Sequence, residues 1–121
     1  MQREVDEWIR DIVAAGREIA AYIDGLDQGR FEADLKTVRA VAYLLLSIGE
    51  AAKNLPSEYL ERHAEVDWRG LKGMRDILAH RYFGLDLQIL WVTVKGELPG
   101  LVARLEAPLE ADERGDVGQH E

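Results

Sequence analysis

Arg75, Asp76, His80 and Tyr82 form the part of this chain best suited to reactive chemistry. Four residues separate the arginine from the histidine, the aspartate follows the arginine directly, and the tyrosine stands two beyond the histidine. An arginine fork binds two phosphate oxygens and steadies the charge that builds during phosphoryl transfer. A histidine, with an unperturbed pKa of about 6.5, takes a proton from one oxygen and delivers one to another. RNA carries its own nucleophile in the ribose 2′-hydroxyl, so a guanidinium and an imidazole suffice to cleave it without a metal. The expected reaction is a transesterification that leaves a 2′,3′-cyclic phosphate and a 5′-hydroxyl, and DNA should resist. Asp76, four residues before His80, would hold the imidazole in place and favour its charged form. The same spacing also fits a plainer role, that of a histidine answering a helix C-terminus or simply facing solvent.

On one ideal helix Arg75 and His80 differ by about 140°, so they do not stack, whereas Arg75 and Tyr82 share a stripe. From Arg69 to Tyr82 the bases are Arg69, Lys72, Arg75 and Arg81, against one acid, Asp76. From Glu106 onward six acids face Arg114 alone. A local basic strip on a chain of net charge -8 fits a confined anionic ligand better than a broad nucleic-acid track. It fits a solvated helix face as well. If RNA is the ligand, Arg69, Lys72 and Arg81 are its candidate contacts. His63 and His120 have no neighbours at metal-ligand spacing, so neither a metal site nor a cofactor is expected.

The elements that hold these residues are helical. Val5, Trp8, Ile9, Ile12, Gly16, Ile19, Ala20 and Ile23 recur at spacings of three and four and predict a helix over 3–26. Asp24 to Gly29 then reads as its end. A second helix should start at Asp34 and run to about Leu55, where Pro56 stops it. Its main stripe is Val38, Val41, Ala42, Leu45, Ile48, Gly49 and Ala52, and Ala40, Leu44, Ser47 and Ala51 form a second. Two apolar sides need two partners, either both within the chain or one from another subunit. Glu50 either pairs with a base of the helix that carries Arg75 or faces solvent. A short helix is expected from Ser57 to Ala64, and another from an Asp67 cap to Phe83, its core side given by Met74, Ile77, Leu78 and Arg81. Gly70 and Gly73 within it mark a close approach or loose structure. The last helix should begin near Asp86 and bend between Gly96 and Pro99, because proline removes the bond to Lys95. Trp68 and Trp91 fit the core better than base stacking.

The 121 residues are 47% hydrophobic and 31% charged, which suits one folded domain. The expected division is a helical bundle over 1–108 followed by an acidic, frayed tail over 109–121. No cysteine is present, which excludes disulfides and thiolate metal sites. Residues Met1 to Glu7 are charged and acidic, without the apolar core expected of a signal peptide, and the longest apolar run, Val41–Gly49, is about half of the ~20 residues a membrane span needs. The chain is therefore expected in the cytoplasm, away from membranes.

The segment Gly73-Met74-Arg75-Asp76-Ile77-Leu78-Ala79-His80-Arg81-Tyr82 closely resembles the Arg-x4-His-x-Tyr motif of HepT-like toxins in the HEPN superfamily. Ala40-Val41, Ile48-Gly49-Glu50-Ala51-Ala52, Val66-Asp67-Trp68, Leu90-Trp91 and Glu97-Leu98-Pro99 look like the same family, so the resemblance spans about Val5 to Leu105. It implies an all-α, up-down bundle of about five helices. It further implies a homodimer in which Arg75 and His80 of both copies surround one phosphate. Arg75 and His80 would be the catalytic pair, with Asp76 in the polar position after the arginine. Asparagine is common at that position, so the extra charge of Asp76 puts the strength of RNA binding in question. The implied function is a metal-independent endoribonuclease toxin, neutralised by a minimal nucleotidyltransferase antitoxin. Tyr82 matches a tyrosine that such partners modify with AMP in some members, although it suits a packing role equally. The rival readings are a non-cleaving adaptor that binds nucleotide or a nucleotidyltransferase, and a plain helical interaction module.

Overall fold

A computed structural model describes residues 4–80 and 86–119, except for the side chains at 77, 79, 80, 108 and 110–119. Among these residues seven α-helices follow in order: α1 (Val5–Ile23), α2 (Gln28–Ala33), α3 (Leu35–Lys53), α4 (Ser57–Arg62), α5 (Trp68–His80), α6 (Leu87–Val92) and α7 (Leu98–Gln119). No strand occurs among the described residues, so the all-α expectation holds. Among them, too, no helix is long and apolar enough to cross a membrane.

The helix boundaries follow local chemistry. Asp34 caps α3 by accepting from the Thr37 backbone N–H at 3.3 Å and from its hydroxyl at 2.7 Å. Asp67 caps α5 through the Gly70 N–H at 2.9 Å. Asp86 caps α6 through the N–H groups of Gln88 and Ile89. At the end of α1, Gly25 takes a φ of 78°, a left-handed conformation that glycine adopts without strain.

The turn expected over 24–29 is instead a short turn followed by α2. Asp27 caps α2 by accepting from the Arg30 N–H at 2.8 Å, and Gly29 lies inside the helix. Six residues make too short a helix to persist alone. Phe31 secures it, fully buried, with its ring 5.3 Å from that of Trp91.

Helix α3 is the central element, packed between α1 and α5, while α7 lies against α1 and α2 against α3 and α6. Every residue of its main stripe is buried. Of the second stripe only Ala51 is buried, and Leu44, Ser47 and Ala51 line a groove of about 450 Å³ against Trp8, Asp11 and Ala14 of α1. On α1, Ala20 is exposed and Val13 is buried in its place. The reason is that α1 serves two neighbours, α3 and α7, so its buried arc is broader than one stripe. Gly16 lets α7 come close, since a methyl group there would strike Val102.

The irregularity expected before Pro99 takes a definite form. Residues Thr93–Glu97 form a π-helical turn, and the Leu98 N–H bonds to the Thr93 carbonyl. Slipping the hydrogen-bond ladder by one residue absorbs the donor that proline lacks, and the chain continues as α7. The backbone over 109–119, expected as a frayed acidic tail, continues α7 as helix, while the side chains at 110–119 lie outside the described residues.

Candidate active site

Helix α5 carries the candidate residues along its length. Arg69 is exposed, Lys72 and Arg75 are half-buried and Asp76 is exposed, with residue 80 ending the helix. By helical geometry, positions 69, 72, 76 and 80 share one face, and position 75 lies to its side. Arg81 and Tyr82, and with them the expected RNA contact and the candidate modified tyrosine, lie outside the described residues. So does the side chain of His80, including its expected contact with Asp76.

Packing on α3 sets the position of Arg75. A methyl group on Gly49 would collide with Cβ of Arg75 and stand 3.0 Å from both its Cγ and the Leu71 carbonyl oxygen. The arginine stem therefore crosses α3 at its one hydrogen-only position there. Just beyond, Oε2 of Glu50 accepts from Nε of Arg75 at 3.0 Å. Of the two readings open for Glu50, pairing with a base of the Arg75 helix is the one observed. On the other side, Nη1 of Arg75 donates to Oδ1 of Asp76 at 3.1 Å.

A guanidinium has five N–H groups, and these two contacts engage one at Nε and one at Nη1. Among the described residues, the other three are left for an outside acceptor. The hydrogen bond to Asp76, with the charge and hydrogen bond of Glu50 behind it, raises the Arg75 pKa above the ordinary arginine value despite partial burial. The group stays cationic at any working pH. Its contact with Asp76 draws one terminal nitrogen towards the helix face on which residue 80 lies.

The glycines expected to mark close approach on α5 do not do so. A methyl group on Gly70 would meet only the capping carboxylate of Asp67, and one on Gly73 would meet no described atom. The close approaches fall at Gly49 and Gly16. Gly49 was legible only as a glycine on an apolar stripe inside a helix, where it costs about 1 kcal/mol against alanine.

Two concave regions flank the site. A cleft of about 460 Å³ lies on the far side of α5, between Leu71 and Met74 and the π turn and α7, and does not include Arg75. The groove between α1 and α3 reaches the site through Glu50. Trp68 is buried and donates from its indole N–H to the His63 carbonyl at 2.9 Å, which confirms a structural role. Trp91 packs on Phe31. His63 stacks against Tyr59 and faces Glu65 at 3.8 Å.

Comparison with known proteins identifies the family. Residues 12–107 match the family model described as HepT-like, ribonuclease HepT-like. A "Probable ribonuclease HepT" from Thermococcus cleftensis is 39% identical over 88% of this chain and 96% of its own length. A Caldanaerobacter subterraneus protein is 39% identical over 74% of the chain and 80% of its own length. For a Methanocaldococcus jannaschii protein the figures are 32%, 87% and 87%. The names of the last two begin "Putative RNase". No solved structure matches significantly. With nearly the whole helical bundle covered, including both helices that hold Arg75, the chain belongs to the HepT-like family.

Proposed function

We propose that this protein is an endoribonuclease that cleaves RNA by transesterification without a metal. The observation that carries this reading is Arg75, a charged fork held by two carboxylates on different helices, with three N–H groups left for a phosphate among the described residues. Relatives named as ribonucleases support the class of reaction.

In this reading the imidazole of His80 takes the proton of the ribose 2′-hydroxyl. The 2′-oxygen attacks phosphorus and forms the cyclic ester, while the bond to the 5′-oxygen breaks. An imidazolium protonates the leaving oxygen, and Arg75 steadies the charge on the non-bridging oxygens. Two copies related by a twofold axis would bring both pairs to one phosphodiester, which overcomes the 140° offset along a single helix. Arg69, Lys72 and Arg81 would guide the RNA strand, and Asp76 would support the pair. The biological setting we propose is a toxin neutralised by a minimal nucleotidyltransferase antitoxin in the cytoplasm. Addition of AMP to Tyr82 would block the cleft by bulk and charge.

The test is cleavage of RNA by the purified protein in the presence of a chelator, beside R75A and H80A. We expect cyclic-phosphate ends from the wild type, no cleavage of DNA, and loss of cleavage in both variants with helical content intact. Light scattering reads the dimer, and mass spectrometry of protein co-expressed with its antitoxin reads the adduct on Tyr82. Nucleotide binding without cleavage would favour the adaptor reading and end this one.

A further inference from the structure

Arg75 has one hydrogen-bond partner outside its own helix among the described residues, and that partner has no assigned role. Glu50 lies 25 positions earlier, on α3, and its carboxylate meets the Nε edge of the guanidinium at 3.0 Å. Its side chain is 51% exposed, whereas that of Arg75 is 25% exposed. The carboxylate is thus a solvated group whose contact with Arg75 is not forced by burial. The preceding residue, Gly49, seats the arginine stem. Consecutive residues of α3 therefore fix both ends of the same side chain.

We propose that Glu50 is a positioning residue for the reaction, one that holds Arg75 by its Nε edge so that the terminal amino groups face the phosphodiester. This rests on the ribonuclease reading given above. The argument is geometric. A guanidinium is a rigid planar fork, so anchoring one edge fixes the direction of the opposite edge. An arginine held only by its stem samples several rotamers and presents its fork to phosphate only part of the time. A carboxylate on a different helix supplies a restraint that Asp76, on the same helix, does not. Glu50 itself need not touch RNA.

The test compares E50A and E50Q with the wild type in cleavage kinetics and in the NMR signal of the Arg75 Nε–H. Glutamine keeps an acceptor for Nε but drops the charge, so E50Q should retain most of the rate. E50A should lower kcat by on the order of 10- to 100-fold, the cost of a misaimed group. KM should change little. The Nε–H signal should be protected from solvent exchange in the wild type and E50Q and lose that protection in E50A.

Wild-type kcat in E50A or an unchanged Nε–H signal would each overturn the proposal. If the signal behaves as expected but the wild type cleaves no RNA, the ribonuclease reading falls, and with it the catalytic role of Glu50. The anchoring contact would still stand.

Discussion

Gly49 and Arg75 meet with no room between them, the bare Cα of one beneath the Cβ of the other. G49A would push α5 off α3 or force the arginine stem aside, since the Leu71 carbonyl closes the other direction at 3.0 Å. Such overpacking costs about 1–3 kcal/mol. Urea unfolding should show that loss, and RNA cleavage should fall further than stability alone explains, because Arg75 moves while remaining present.

Asp76 takes one of the N–H groups of Arg75 that a phosphate would otherwise use, and it brings a negative charge beside the incoming anion. D76N keeps an acceptor for Nη1 and removes the charge. RNA should bind severalfold tighter, read as a lower KM and a lower Kd at fixed salt. A weaker affinity would show that the carboxylate serves chiefly to aim the fork.

The raised pKa of Arg75 bears on the pH profile. A group whose value is higher in the folded state stabilises that state below its unfolded pKa and stops doing so only as pH rises through the raised value. For an arginine that lies beyond the range of an ordinary assay. The cleavage rate between pH 5 and 9 should therefore carry no inflection from Arg75, and NMR signals of its guanidinium that titrate within that range would contradict this.

Asp34 has the opposite sign. The hydroxyl and N–H of Thr37 hold its carboxyl below the usual aspartate value. Its contribution is complete above the unfolded pKa and is lost as pH falls through the lowered one. Melting temperature should drop in acid below about pH 4, and T37V, which removes the hydroxyl donor, should shrink the part of that drop due to Asp34.

Phe31 anchors a helix too short to stand alone, fully buried against Trp91. F31A should cost about 3–5 kcal/mol. Hydrogen exchange should show the amides of α2 losing protection before those of α3. Uniform loss across both helices would mean that α2 folds only as part of the whole bundle.

Much of the helical frame was legible in residue order alone. Asp34, Asp67 and Asp86 each cap the helix they precede, Pro56 follows the end of α3, and the main stripe of α3 is buried throughout. An interruption of the regular helix ahead of Pro99 was legible as well, though its form as a π turn was not. These features rest on spacings of two to five residues, and such spacing is printed in the chain. The motif from Arg75 to His80 was legible for the same reason.

Contacts between distant segments were not. Helix α2 exists because Phe31 reaches Trp91, and no pattern over 24–33 announces that partner. Gly49 gives no sign of the stem it will seat, and Glu50 could be narrowed only to pairing or exposure. Which outcome prevails depends on how α3 and α5 cross, and that crossing follows from how all the apolar faces share one core. Local order thus specified the helices and the candidate pair Arg75 and His80, while the packing of one helix on another chose the groups that hold Arg75.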